Sequence, residues 1–177
     1  SYDCGKVEPG SVEELICGNA ELSVLDTKLA EVYDKAVQKA VNEHPPVLNA
    51  EQRGWIKGRN ECWKSEDINA CIEEHYLLRI AELQARYRLV PEDGPYTYTC
   101  DNNPRNEVII VTFFSTDPAT VIAERGDSVS LMYLQKSASG SKYRGRNEIF
   151  WEHQGETSII WGYGANEMKC KKTPLSL

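Results

Sequence analysis

Residues 137–146 carry the side chains that are most able to do chemistry. The stretch reads Ser-Ala-Ser-Gly-Ser-Lys-Tyr-Arg-Gly-Arg, and it places Lys142, Arg144 and Arg146 together in a chain of formal net charge -7. Small polar residues cannot fill a core, and glycine permits the positive φ angles of tight turns. We therefore predict a protruding basic loop that acts as a recognition element.

Ser139 and Lys142 also have the S-x-x-K spacing of serine acyl-enzymes, in which a helical turn brings the lysine beside the nucleophile. Gly140 and the strand-like sequences on both sides argue against a helix here. The chain has only three histidines, and none lies in a recognisable catalytic context. The sequence thus predicts a binding protein without a cofactor, not an enzyme.

The net charge of the chain limits the kinds of partner that we expect it to bind. The net charge of -7 and the isoelectric point of about 5.1 argue against nucleic-acid binding and favour a basic protein partner. No apolar run approaches the roughly 18 residues of a membrane-spanning helix, so we expect no integral membrane span. The oligomeric state cannot be predicted from the sequence.

The cysteines predict disulfides rather than a metal site, because their number is even and no CxxC pair occurs. Disulfides imply an oxidising compartment. We therefore expect a periplasmic or exported protein, and the sequence leaves open whether the precursor carries a membrane anchor. The six positions are Cys4, Cys17, Cys62, Cys71, Cys100 and Cys170.

The first half of the chain, residues 1–90, is predicted to be a helical domain. Ser11 and Glu14 have the spacing of a capping box, and apolar residues at helical intervals follow. Prolines and turn residues divide the pattern into three helices, and three helices joined by short turns should pack as an antiparallel bundle. We place these helices at residues 11–43, 49–62 and 67–88.

Two features of this bundle remain open from the pattern alone. Asp26, Arg59 and Arg79 lie on or beside the apolar faces of three helices, where they could form buried ion pairs or, less commonly, a ligand site. The four cysteines of the domain allow three pairings. We predict the pairs Cys17 with Cys62 and Cys4 with Cys71, because antiparallel neighbours should bring both pairs to one end of the bundle.

Residues 91–95, with two prolines and a glycine, are predicted to be a linker. After it, residues 96–172 are rich in β-branched and aromatic residues, which favours a small antiparallel barrel or sandwich closed by a Cys100–Cys170 bond. Arg125-Gly126-Asp127 is predicted to be a hairpin turn rather than an adhesion motif. The candidate strands are 96–100, 107–114, 119–124, 128–134, 147–152, 157–161 and 167–170.

The helical half resembles the LprI-type lysozyme inhibitors over roughly residues 3–88. The resemblance is carried by Glu13-x-x-Ile16-Cys17, Leu22-x-x-Leu25-Asp26, Gln52-x-x-Trp55-x-x-x-Arg59-x-x-Cys62 and Cys71-x-x-x-x-Tyr76-x-x-Arg79-Ile80.

The second half resembles the MliC family, the membrane-bound inhibitors of c-type lysozyme, over about residues 96–170. Its marks are Tyr98-x-Cys100, Ser137-Ala138-Ser139-Gly140-x-Lys142-Tyr143, Phe150-Trp151 and Cys170. The resemblance implies an eight-stranded barrel whose loop enters the lysozyme cleft.

In that family a serine and a lysine contact the two catalytic carboxylates. The serine corresponds to Ser139, whereas the lysine is absent, and either His153 or Gln154 could replace it. The resemblance therefore implies an inhibitor of c-type lysozyme. An alternative is an envelope module that binds another protein or a cell-wall component through its helical half. The expected lysozyme-binding residues are Ser139, Gly140, Lys142, Tyr143, Arg144, His153 and Gln154.

Overall fold

The structure is a computed structural model that describes residues 2–173, and the chain divides into two compact units between Leu89 and Val90. Helices occur in the first unit and an antiparallel barrel forms the second. The predicted α+β class, with its helices and strands segregated along the chain, is confirmed.

The helical unit contains four α-helices. Helix α4 is the centre of the unit, since α2 and α3 both pack against it and its Ile72, Tyr76 and Leu83 are fully buried. Short 3-10 turns precede α1 and connect the later helices. The bounds are α1 Val12–Gly18, α2 Ala20–Lys39, α3 Leu48–Asn60 and α4 Ile68–Arg86.

The prediction of one continuous first helix was wrong, because Asn19 divides it. The Asn19 side chain accepts hydrogen bonds from the amides of Glu21 (3.0 Å) and Leu22 (3.1 Å) and so caps the start of α2. Ser11 caps α1 in the predicted way, accepting from the amide of Glu14 at 3.1 Å. Asparagine competes with helical hydrogen bonding through its side chain, which explains the break.

The pairing predicted for the helical cysteines was also wrong. The bonds join Cys4 to Cys17 and Cys62 to Cys71, not Cys17 to Cys62 and Cys4 to Cys71. Because α1 ends at Gly18, Cys17 lies at the end of a short helix, where the turn that contains Cys4 folds back on it. Each bond therefore closes a local connection instead of joining distant helices.

The second unit is a closed up-and-down barrel in which each strand pairs antiparallel with the next and β1 pairs with β8. Its interior is filled by side chains that alternate along the strands, among them Tyr98, Val111, Met132, Phe150 and Ile159. The strands are β1 Glu92–Cys100, β2 Ile109–Phe114, β3 Thr120–Arg125, β4 Ser128–Gln135, β5 Ser141–Arg144, β6 Glu148–His153, β7 Glu156–Trp161 and β8 Glu167–Thr173.

Two predictions about this unit need correction. Residues 91–95 are not a linker, since β1 begins at Glu92 and pairs there with Phe114 of β2. The stretch 137–146 is not a single loop either, because β5 lies inside it. The small residues that precede β5 made this segment resemble a loop in the sequence. In the structure β5 pairs with both β4 and β6. The barrel thus has the eight strands that the MliC resemblance implies.

Gly126 and Asp127 form the turn between β3 and β4, as predicted. The Arg125 guanidinium is held by Glu107 (3.1 Å) and Asn103 (2.8 Å). These contacts give the tripeptide a structural role in the hairpin.

The Cys100–Cys170 bond joins β1 to β8 across a sequence separation of 70 residues. It therefore closes the barrel covalently at the same pair of strands that closes it through hydrogen bonds.

We expect loss of this bond to cost more stability than loss of Cys4–Cys17. Loop-closure entropy gives about 4 kcal/mol for the separation of 70 residues and about 3 kcal/mol for the separation of 13. Replacing each pair by alanines and following urea unfolding of each unit through its NMR signals measures both costs. Equal costs for the two bonds would contradict the entropic explanation.

Candidate functional site

Two neighbouring connections of the barrel form the candidate site. One is the β4–β5 loop, residues 136–140, and the other is the β6–β7 turn at Gln154 and Gly155. In an up-and-down barrel alternate connections emerge at the same end, and β5 and β6 are hydrogen-bonded neighbours. The loop and the turn therefore lie side by side.

Gly140 allows the loop to pack closely against the end of β6. It has a φ of +66°, and a Cβ at this position would lie 1.9 Å from the Glu152 carbonyl oxygen and 2.8 Å from His153 Cβ. Only glycine permits such a close approach of two backbones without a shift. The loop thus rests directly on the strand that carries His153.

Trp151 holds the neighbouring residue of the loop. Its indole Nε1 donates a hydrogen bond to the Ser139 carbonyl at 3.1 Å, and the Ser137 hydroxyl donates to the same oxygen at 2.7 Å. The Ser139 backbone is thereby fixed while its side chain is exposed. Within the residues that the structure describes, the Ser139 hydroxyl makes no hydrogen bond.

Two basic side chains of the site lie against the Trp151 ring. Lys142 lies opposite Trp151 across the β5–β6 pair, and its Nζ is 4.9 Å from the ring centroid. His153 follows two residues later on the same side of β6, with its ring centroid 3.9 Å from that of Trp151. A cation over an aromatic face is attractive, so an ammonium and an imidazole are presented around one indole.

Glu152 points into the barrel, opposite to Trp151 and His153. The Tyr98 hydroxyl donates to its carboxylate at 2.8 Å. Burial, followed by this hydrogen bond, raises the pKa of Tyr98 above its ordinary value, and burial followed by the Glu152 charge raises the pKa of Tyr143. The segment on which Gly140 rests is therefore anchored from inside.

The structure does not place every expected residue at the site. Tyr143 is only 8% exposed and packs against Phe113 and Phe150 inside the barrel, since its neighbours on β5 face outward. Arg144 is exposed on the outer face, whereas Arg146 lies in the β5–β6 connection, at the opposite end of β5 from the loop.

The sequence predicts Ser139, Gly140, Lys142 and His153 as site residues, and the structure brings them together. Gln154 occupies the exposed turn, with a φ of +52°. Trp151 contacts both the loop and Lys142 but is not among the residues expected from the sequence, where it is only a mark of the MliC resemblance. Its position opposite Lys142 would have been visible only once β5 was recognised.

In the helical unit, Arg59 is the centre of a buried network. Its guanidinium pairs with Glu13 at 2.8 Å and donates to the Tyr76 hydroxyl at 3.0 Å, which in turn donates to Asp26 at 2.9 Å. Arg79 is bound separately by side chains of α3 and α4. The three charged residues singled out in the sequence therefore do not share one set of contacts.

No helix within residues 2–173 combines the length and the hydrophobicity that crossing a membrane requires.

Comparison with known proteins assigns both units to families. Residues 4–83 match the profile of "Lysozyme inhibitor LprI", and residues 98–168 match that of "Membrane-bound lysozyme-inhibitor of c-type lysozyme", MliC. No solved structure matches the chain.

Mycobacterial proteins are similar to this chain across both units. The proteins named Lipoprotein LprI from Mycobacterium bovis and from Mycobacterium tuberculosis strains CDC 1551 and H37Rv are each 28% identical to this chain over 162 residues, which is 90% of this chain and 78% of the relative. The chain is therefore homologous to these mycobacterial proteins, and it consists of an LprI domain followed by an MliC domain.

Proposed function

We propose that this protein inhibits c-type lysozyme by inserting the β4–β5 loop into the active-site cleft, where Ser139 and His153 engage the two catalytic carboxyl groups. The observation that carries the proposal is the seating of Gly140 on the end of β6, next to His153. This contact holds a hydrogen-bond donor and an imidazole at adjacent positions on a rigid barrel.

The chemistry of the target supports this arrangement. Lysozyme is the type case of a retaining glycosidase, and such enzymes hold two carboxyl groups about 5–5.5 Å apart. The Ser139 hydroxyl can donate to one of them, and the His153 ring can donate to the other in either protonation state. A loop that is already fixed by Trp151 loses little conformational entropy on insertion.

His153 is a better second contact than Gln154. Its ring stacks on Trp151, and its backbone lies beside Gly140, so its position relative to the loop is defined. Gln154 lies at the tip of a two-residue turn with left-handed backbone. Lys142 adds positive charge beside His153, which should favour entry into an acidic cleft.

We further propose that the protein works in the cell envelope. Its disulfides require an oxidising compartment, and the mycobacterial relatives are named lipoproteins. A lysozyme inhibitor must act where lysozyme reaches the cell.

Ser139→Ala should weaken inhibition about tenfold, since it removes one hydrogen bond to a charged group. The measurement is a turbidity assay of bacterial cell-wall lysis by c-type lysozyme with increasing amounts of inhibitor. Ser141→Ala, on β5 and exposed, is the matched control and should inhibit like the wild type. Undiminished lysis with a molar excess of the wild-type protein would refute the proposed function.

Gly140→Ala should abolish most of the inhibition, because the added methyl group would collide with the Glu152 carbonyl. Gly164→Ala is a close control, since Gly164 has a φ of +68° and a Cβ there would meet nothing within 4 Å. The two variants share the backbone strain and differ in the collision. Equal inhibition by both variants in the same assay would show that the seating of the loop is irrelevant.

His153→Ala should weaken inhibition about tenfold, because it removes a hydrogen-bond donor to a charged group. Gln154→Ala tests the alternative residue in the same lysis assay and should inhibit like the wild type. Loss of inhibition with Gln154→Ala but not with His153→Ala would show that Gln154 makes the second contact.

A further inference from the structure

The helical unit contains a cleft that the proposed inhibition does not use. Helices α2 and α3 both pack on α4 but hardly touch each other directly. Between them lies a cavity of about 470 Å³, which is within the usual range for small-molecule sites. A bundle with closely packed α2 and α3 would not leave this space.

Each wall of the cleft is one face of a helix. The α2 wall presents Asp26, Tyr33 and Asp34 at helical spacing, and the α3 wall presents its polar and apolar groups in the same way. The residues on the α3 wall are Asn49, Gln52, Arg53, Trp55, Ile56 and Arg59.

The inner end of the cleft is charged and deeply buried. Arg59 is only 3% exposed, and its guanidinium lies 5.8 Å from the Tyr2 ring centroid and 5.5 Å from that of Trp55. Burial, followed by the nearby charge of Asp26, raises the pKa of Tyr2 to about 12. Buried ionic groups are costly unless they are paired and hydrogen-bonded, and here the paired Arg59 lies in the wall of an open cavity.

The charge of the lining restricts the ligand. Arg59 is already paired with Glu13, and Arg53, Asp26 and Asp34 line the same cavity. An anion would meet the carboxylates, and a cation would meet the guanidinium groups. A neutral ligand with many hydroxyl groups satisfies carboxylates, amides and guanidinium together.

The aromatic groups complete the requirements for such a ligand. Tyr2, Tyr33 and Trp55 supply apolar surface within the cleft, against which the C–H faces of a sugar ring can pack. We propose that this cleft binds a small neutral saccharide, with Asn49, Arg53 and Asp34 hydrogen-bonding its hydroxyl groups at the rim.

The test is a titration of the isotope-labelled full-length protein with di-N-acetylchitobiose up to about 10 mM, a range that detects millimolar binding. We expect the indole N–H signal of Trp55 and the amide signals of Tyr33 and Gln52 to shift. Those of Trp151 and Trp161, in the barrel, should stay in place. The absence of shifts, or shifts confined to the barrel, would overturn the proposal.

Variants at the rim define the site. Asn49→Ala and Arg53→Gln should each weaken saccharide binding about three- to tenfold, whereas Asn69→Ala, exposed on α4 and outside the cleft, should leave it unchanged. Both rim side chains are exposed, so neither change should unfold the unit. Equal affinity of all three variants would place the ligand elsewhere.

Charged probes separate the saccharide from its competitors. Methylguanidinium and inorganic phosphate should leave the cleft signals in place, and movement of these signals with either ion but not with the sugar would overturn the proposal. The rim variants should retain full inhibition of lysozyme, which distinguishes a failure of this site from a failure of the barrel site.

Discussion

The contact between Gly140 and the end of β6 is the constraint on which the candidate inhibitory site depends. A side chain at position 140 has no room, because the Glu152 carbonyl oxygen would lie 1.9 Å from its Cβ. The loop can therefore approach the strand only with glycine at this position. Once it does so, Trp151 can reach the Ser139 carbonyl, and a loop of small residues acquires a defined shape without side chains of its own to pack.

Contacts inside the barrel hold the end of β6 in position for this contact. The Glu152 carboxylate accepts a hydrogen bond from the Tyr98 hydroxyl inside the barrel, and its backbone carbonyl lies against Gly140 of the loop. One residue therefore belongs to both the barrel interior and the candidate site. The Cys100–Cys170 bond joins the strands that close the sheet. The strict alternation of a closed barrel then places Lys142 outside and Tyr143 inside. The candidate binding groups Lys142 and His153 are thus positioned by strands, and only the donor at Ser139 depends on a loop.

Local chemistry allowed much of this structure to be predicted. Capping at Ser11, the hairpin at Gly126 and Asp127, and the change from helical to strand periodicity were all visible in the sequence. Strand β5 was not visible, because four residues beside small and glycine-rich sequence give too short a pattern to distinguish from a loop.

The break at Asn19 was hidden for a different reason. The apolar periodicity continues across α1 and α2, although one side chain caps the second helix. That error also misplaced Cys17, and the wrong disulfide pairing followed from it. Tertiary proximity in the site could not be predicted from local patterns at all, since the contact of Trp151 with Ser139 depends on the register of β5 and β6.

The two units use charge in opposite ways. In the barrel, Lys142 and His153 lie on the outside of the sheet, where an aromatic ring orients them at little desolvation cost. In the helical unit, Arg59 is buried against three aromatic rings, and Glu13 and Tyr76 must compensate the loss of water. A projecting site suits a partner with a deep cleft, whereas a recessed site suits a small ligand that must be surrounded. The two arrangements therefore suit different ligands.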